Sequence, residues 1–223
     1  MIDTLNVTVL ADNLADDGLL AEHGLSLWIE AGTGRILFDT GQGEALAANA
    51  ARLGVDLATA DAVALSHGHY DHTSGLPLAL ERAAGACVHC MPEAVLPRYS
   101  VRGGESRQVQ MPRESMDALD ALEEGRIRWT AHPVELLPGV WLSGPIPRPH
   151  GDVGPGWPFF LDPKGAKPDP IGDDMALWAD TPDGVVLILG CCHAGLENTL
   201  EFVRGHNPGR PLRAVVGGMH LMD

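Results

Sequence analysis

Short apolar runs, each broken by Gly, Pro or polar residues, set the rhythm of this chain. "LNVTVL", "GLSLWIEAG" and "RILFDTG" read as three strands, the last two joined by a tight "GTG" turn. "GEALAANAARLG" places Leu46, Ala50 and Leu53 on one helical face and closes on Gly54. "DAVALS" is a short continuous apolar run, the pattern of a strand buried on both faces. "GLPLALERA" returns to helix and "ACVHCM" to strand. From Pro92 to Arg126 the pattern weakens, leaving one short helix at "ESMDALDALEEG", whose acidic run reads as a solvated face.

"IRWTAHPVELLPGVWLSG" predicts two strands about a turn at Pro138–Gly139, and "MALWADTPDGVVLILG" a hairpin turning at Asp183–Gly184. A helix, "LENTLEFVRG", and a strand, "LRAVVGG", follow. Residues 145–174 are crowded with Pro and Gly and carry no periodicity, the mark of a functional or disordered loop. Strands followed by helix and strand, twice over, predict an α/β protein with mixed sheets covered by helices, and 223 residues fit a single domain over 1–223. Polar clusters stand just after strands at 67–72, 191–193 and 220, where sites in such architectures gather.

Composition excludes several classes. The formal charge is −15 with no Lys/Arg stripe, which disfavours nucleic acid and anionic membranes as partners. An anionic small-molecule substrate stays open, because bound divalent metals reverse the local sign. No window nears the length of an apolar membrane span, and the opening "MIDTLNVTVLADN" has no secretory pattern, so the chain reads as cytoplasmic. Cys87 and Cys90 read as buried strand cysteines rather than a zinc or redox pair, and reduced thiols fit that compartment.

The densest chemistry is "ALSHGHYDHTSGL", which packs His67, His69, Asp71 and His72 into six positions of a chain with ten histidines. Such a pattern arises by chance on the order of once in a thousand such chains, so a solvated loop is a poor account of it. Imidazole and carboxylate are zinc ligands and also suit manganese and iron. His67 and His69 share a direction if the turn is extended, while Asp71 and His72 face elsewhere as the chain bends into a helix. One segment thus offers a pair to each of two ions, which can stabilise attacking and leaving oxygens together. Gly68 and Gly75 are expected to allow the tight backbone this spacing demands.

These residues resemble a known family. "LSHGHYDHTSGL" after an apolar strand, with "ILFDTG" upstream, is similar to the H-x-H-x-D-H signature of the metallo-β-lactamase superfamily. "AEHGLSLWIE", "RILFDTGQG", "LILGCCHAGLENTLEFV" and "AVVGGMHL" resemble its subgroup named for the dihydropterin–ribofuranosylaminobenzene phosphate synthase. The resemblance runs from about residue 5 to 221 and is weak across 92–175. It implies a four-layered αβ/βα sandwich with a metal site at one edge of two packed sheets.

It also implies roles. His67 and His69 would bind a first metal, Asp71 and His72 a second, and His193 and His220 stand where later metal motifs fall. Two zinc ions are the expected cofactor. Asp71 and Asp39 are the candidate catalytic carboxylates, Asp39 holding a ligand imidazole by its other N–H, although a turn-capping role also fits Asp39. His23 either lines the pocket or is a half-buried histidine bonded to backbone. From their place in the 145–174 loop, which is expected to border the site mouth, Arg148, His150 and Trp157 are candidate substrate contacts, although plain solvation on the loop fits Arg148 and His150 better. Trp157, Phe159 and Phe160 must bury against the core or over a ligand. His89, His132 and His206 show no partner pattern.

Three departures from the family stand out. Gly190–Cys191 occupies the place of a "GD" whose Asp bridges the metals, and Cys90-Met91-Pro92 replaces a His-Pro. Members also commonly continue beyond "GGxHL" to another helix and a His-Cys-Thr-Gly motif that these 223 residues do not contain. Strand alternation is expected to turn Cys191 and His193 to the site and Cys192 away, with Cys191 near the metals but uncoordinated. The implied function is a metal-dependent hydrolase using a metal-bound hydroxide on an ester, phosphoester or lactone. A transferase acting on a pterin-like phosphorylated substrate and a non-catalytic metal-containing sensor are the alternatives.

Overall fold

The computed structural model describes residues 1–151 and 158–219. In chain order the elements begin with β1 (Leu5–Ala11), β2 (Ser26–Ala31), β3 (Gly34–Phe38), α1 (Glu44–Leu53) and β4 (Ala62–Ala64). Next come α2 (Tyr70–Thr73), α3 (Leu76–Arg82), β5 (Cys87–Cys90), β6 (Tyr99–Arg102), β7 (Glu105–Gln108), α4 (Arg113–Asp120) and β8 (Ile127–Trp129). The chain continues through β9 (Val134–Leu137), β10 (Val140–Leu142), β11 (Phe159–Phe160), β12 (Ala176–Thr181), β13 (Gly184–Leu189), α5 (Leu196–His206) and β14 (Leu212–Gly217).

Two large sheets carry the core. One runs β1-β2-β3-β4-β5-β8, antiparallel through β3 and parallel from there; the other runs β14-β13-β12-β10-β9. Alternation along the strands decides what each side chain meets. On β3, Ile36 and Phe38 face the second sheet while Leu37 faces the helices; on β12, Leu177 and Ala179 face the first sheet while Trp178 faces α5. The result is helix, sheet, sheet, helix: α1, α3 and α4 cover one outer face and α5 the other. Completely buried side chains such as Phe38, Leu37 and Leu177 each contribute about 1.5–3 kcal/mol of transfer free energy.

Most expected elements form, with three corrections. "IRWTAHPVELLPGVWLSG" makes three strands, because β8 joins the first sheet while β9 and β10 form the hairpin in the second. The weak stretch 92–126 hides a hairpin, β6–β7, paired with β11 in a small third sheet. All four β7 residues are exposed, so there is no apolar alternation to read. Leu53 is 43% exposed in the last turn of α1, and Ala45 and Asn49 complete the buried face instead. Asn49 Nδ2 donates to the carbonyls of Leu10 and Leu20, tying the helix to β1 and the loop after it.

The four cysteines are free thiols. Cys90 lies in the core, where burial and the neighbouring Asp173 push its thiol up to about 12. Among the described residues no helix is long and apolar enough to cross a membrane.

Candidate metal centre

The site is built at the end of β4. Beyond Ala64 the chain bends at Ser66 and Gly68, and His69 is extended (φ −75°, ψ 148°) before α2 begins at Tyr70. His67 and His69 converge, with His67 Nε2 2.9 Å from His69 Nδ1, and His72, on the first helical turn, does not face elsewhere as expected, its ring lying 4.3 Å from that of His67. Neither Gly68 nor Gly75 adopts a left-handed conformation. The glycines supply room instead of freedom: a Cβ on Gly68 would run into the main chain of Ala94, and one on Gly75 would come within 3.0 Å of Gly43 Cα.

Asp39 organises the imidazoles from below. It ends β3 in a left-handed conformation (φ 59°) and is fully buried. Its Oδ1 accepts the Ser66 N–H at 2.7 Å, and its Oδ2 accepts both the Ser66 hydroxyl and His72 Nδ1, each at 2.7 Å. With its one proton given to Asp39, the Ser66 hydroxyl accepts from His67 Nδ1 at 2.9 Å. Those bonds assign the tautomers: the proton sits on Nδ1 of both His67 and His72. Asp39 thereby turns the Nε2 of His67 directly toward the centre.

His193 and Cys191 arrive on the turn after β13. His193 Nε2 lies 3.0 Å from His67 Nε2, and Cys191 Sγ lies 2.9 Å from His72 Nε2. The turn is not extended, since Cys192 is left-handed (φ 56°) and its side chain packs among the residues under α5. The expected sidedness of Cys191, Cys192 and His193 thus comes from a bend and not from strand alternation. Gly190 is required here because a Cβ would collide with the Ser66 side chain. Asp174 Oδ2 accepts the Ala194 N–H at 2.8 Å, and burial raises the Asp174 carboxyl to about 7.

The electrostatics divide the cluster. Burial, then the neighbouring His72, His193 and His69, push His67 well below the ordinary histidine range, so it is neutral, as a ligand must be. Burial also pulls on His72, yet Cys191 and Asp39 outweigh it and hold His72 well above that range. A ligand role for His72 Nε2 requires its extra proton to leave, so loading a metal there is favoured by rising pH. Burial raises the Cys191 thiol, opposed by His72.

The donor set fits a divalent metal. Nitrogens bound tetrahedrally to zinc at about 2.0–2.1 Å stand roughly 3.3 Å apart, close to the His67–His69 and His67–His193 separations of 2.9 and 3.0 Å. A single lone pair on His67 Nε2 cannot serve two imidazoles by hydrogen bonding, whereas one ion can serve all three. The donor atoms of His67, Cys191 and His193 lie within 4.8 Å of one another. Asp71 Oδ2 stands 3.7 Å from His72 Nε2, on the open side.

The family model of the metallo-β-lactamase superfamily matches residues 20–209. The chain belongs to the metallo-β-lactamase superfamily. An uncharacterised protein of Methanocaldococcus jannaschii is 30% identical over 217 residues, covering 97% of this chain and 79% of that protein. The 7,8-dihydropterin-6-methyl-4-(β-D-ribofuranosyl)-aminobenzene-5′-phosphate synthase of the same organism is 25% identical, covering all of this chain and 79% of the synthase. A crystal structure of a metal-dependent hydrolase of the β-lactamase superfamily superposes with a TM-score of 0.80 at 29% identity, over 99% of this chain and 78% of that one.

A cleft of about 830 Å³ opens over this superfamily site. His69, Asp71, His72 and Cys191 line its floor, and His23 its rim. His23 Nε2 is 3.4 Å from Asp71 Oδ2, and its Nδ1 meets Asn13 Oδ1 at 3.1 Å. The next residue, Gly24 (φ 133°), lies against the Asp71 main chain, which accounts for the "HG" pair in "EHGLS". Phe159 reaches the cleft, its ring 4.8 Å from that of His69. Phe160 pairs with Tyr99 in the third sheet.

Arg148 and His150 do not line the cleft. Arg148 donates to the Ile171 carbonyl at 2.8 Å, and His150 pairs with Glu201 on α5, so local partners hold both elsewhere. Trp157 and His220 lie outside the described residues, although Gly218 and Met219 bring the chain to the cleft edge.

Sequence reasoning missed Ser66, Tyr70, Arg107 and the Arg98–Asp173 pair. Arg98 is buried, forms a two-pronged ion pair with Asp173 and also meets Asp169 at 3.0 Å. Asp173 Oδ2 in turn accepts the Gly68 N–H at 2.8 Å, bracing the loop between His67 and His69. Those partners are 75 and 105 residues apart, so no local pattern signals them.

Proposed function

We propose that this protein is a hydrolase that uses two divalent metals, zinc first among them, on an ester, phosphoester or lactone. The observation that carries this reading is the convergence of His67 Nε2, His69 Nδ1 and His193 Nε2 in a buried pocket that opens onto the cleft. His67, His69 and His193 would hold one ion; His72 and Asp71 would hold the other, with Cys191 beside it and His220 as a further candidate. When bound, such ions make water nucleophilic at neutral pH and stabilise negative charge on attacked and leaving oxygens.

The chain's own residues do the rest. Asp39 and Ser66 orient the imidazoles, Phe159 shields the His69 side from water, and Asp71 faces the cleft within reach of His23. His23 is thereby placed against a substrate at the open side of the site. Metal-loaded protein should turn over at least one member of a panel of phosphodiesters, aryl esters and lactones, and chelation should abolish that turnover. Metal content without turnover of any of them would defeat the hydrolase reading.

The 25% identity to the dihydropterin synthase supports a second reading, transfer onto a pterin-like phosphorylated substrate. Product formation from such a substrate with an amine or arene acceptor, and no hydrolysis, would decide for it.

A further inference from the structure

The small third sheet turns one face to the cleft, and its rows can be read directly from the register. Phe159 on β11 pairs with Ser100 on β6, and Ser100 pairs with Arg107 on β7. Directly opposed residues point to the same side of a sheet, so these three side chains form one row, and all three line the cleft. The row starts at the metal centre, where the Phe159 ring stacks near His69. With strands about 4.8 Å apart, Arg107 stands roughly 10 Å farther along, measured on the backbone.

The hairpin is tied to the metal-binding segment. The Tyr70 N–H donates to the Val109 carbonyl at 3.0 Å, and His69 bridges to Gln110. Arg107 lies over the Tyr70 ring, 5.0 Å from its centroid, and its Nη2 donates to the Tyr70 hydroxyl at 3.0 Å. That stacking fixes the guanidinium without neutralising it. Arg102, on the same face, sits directly opposite Glu105. Opposite Arg107 stands the neutral Ser100, and among the described residues Arg107 makes no salt bridge. A stacked cation without a salt bridge among the described residues, in the working cleft of a chain of net charge −15, is the opposite of what bulk composition supplies.

We infer that Arg107, held by Tyr70, is a specificity-determining anion site. The substrate it selects has an apolar body lying along Phe159 and a terminal carboxylate or phosphate at the Arg107 end of the row. This inference rests on the hydrolase reading for which bond is cut, but not for which group is bound.

The test uses metal-loaded protein and nitrophenyl esters whose acyl chains of graded length end in a carboxylate, a phosphate or a methyl group. At low salt the anion-ended esters should exceed the methyl-ended ones in kcat/KM by about tenfold at the matching length, a preference that fades as salt rises. Comparison of the two anions tells carboxylate from phosphate recognition. Arg107→Met should bring the ratio close to one and Arg107→Lys should keep part of it, while Arg113→Met, outside the cleft on α4, should keep all of it. A wild-type ratio near one, or an Arg107→Met variant that slows all esters equally, overturns the inference and leaves Arg107 as a strut for the hairpin. If no ester is cleaved, calorimetry with the corresponding non-hydrolysable amides separates the two readings. Tighter binding of the anion-ended amide, lost in Arg107→Met, upholds the anion site while the hydrolase reading falls. Equal binding of anion-ended and methyl-ended amides overturns the anion site itself.

Discussion

One oxygen of Asp39, Oδ2, accepts from His72 Nδ1 at 2.7 Å while also holding Ser66, which orients His67. A single buried carboxylate therefore aims the rings of both proposed metal positions. Asp39→Asn suits the left-handed backbone at this position, since Asn tolerates positive φ, but it puts an N–H where an acceptor is needed. Metal affinity, measured by competition with a chelator, should fall by about 10–100-fold. An affinity unchanged within experimental scatter would remove Asp39 from this role.

The bend at 190–195 gives His193 and Cys191 different standing. His193 Nε2 meets the His67–His69 pair, whereas Cys191 Sγ lies against His72 Nε2, its thiol raised by burial and opposed by His72. His193→Ala should lose most of one metal equivalent by elemental analysis, and Cys191→Ser should keep its metal. The reverse pattern would make Cys191 the ligand.

Gly68 has no space for a side chain against the Ala94 main chain. Gly68→Ala should destabilise the fold by about 1–3 kcal/mol in urea denaturation, as overpacking does, and lower metal content along with it. Full metal loading at unchanged stability would show that the loop can shift without cost.

The Arg98–Asp173 pair is completely enclosed. Removing one charge leaves the other buried and unanswered, which costs about 3–5 kcal/mol. Arg98→Met should show that loss in urea denaturation together with weaker metal binding, because Asp173 also holds Gly68. Replacing both partners by apolar residues should recover much of the stability. Should Arg98→Met alone prove as stable as the parent, the pair is not bracing this loop.

His89 supplies a pH dependence away from the metal site. Burial, and then the charge of Arg128, depress it from the ordinary 6.5 to about 4. Its folded pKa lies below its unfolded one, so its contribution is fully present above about 6.5 and is lost as pH falls toward 4. Acid destabilisation across that window should be weaker in His89→Gln than in the parent, by thermal melts at stepped pH. Parallel pH profiles for the two proteins would exclude His89 as a contributor.

The local pattern of this chain was enough to determine its layers and the position of its donors. Continuous apolar runs on β2, β3, β12 and β13 mark strands buried on both faces, since each of their faces meets a hydrophobic layer. "SHGHYDH" was legible because its donors are neighbours in sequence, so spacing alone places them together. The structure decided whatever depends on distant segments or on surfaces without apolar contrast. Strand β7 is exposed along its whole length and has no hydrophobic period, so Arg107 could not be read as part of the site, while Arg148 and His150 were suggested by composition and are held elsewhere. Asp173 reaches Gly68 across 105 residues and His193 reaches His67 across 126. Contacts of that span are set by how the two sheets close on each other, because burial requires only that a side chain be apolar, whereas a buried donor or charge must find one particular partner.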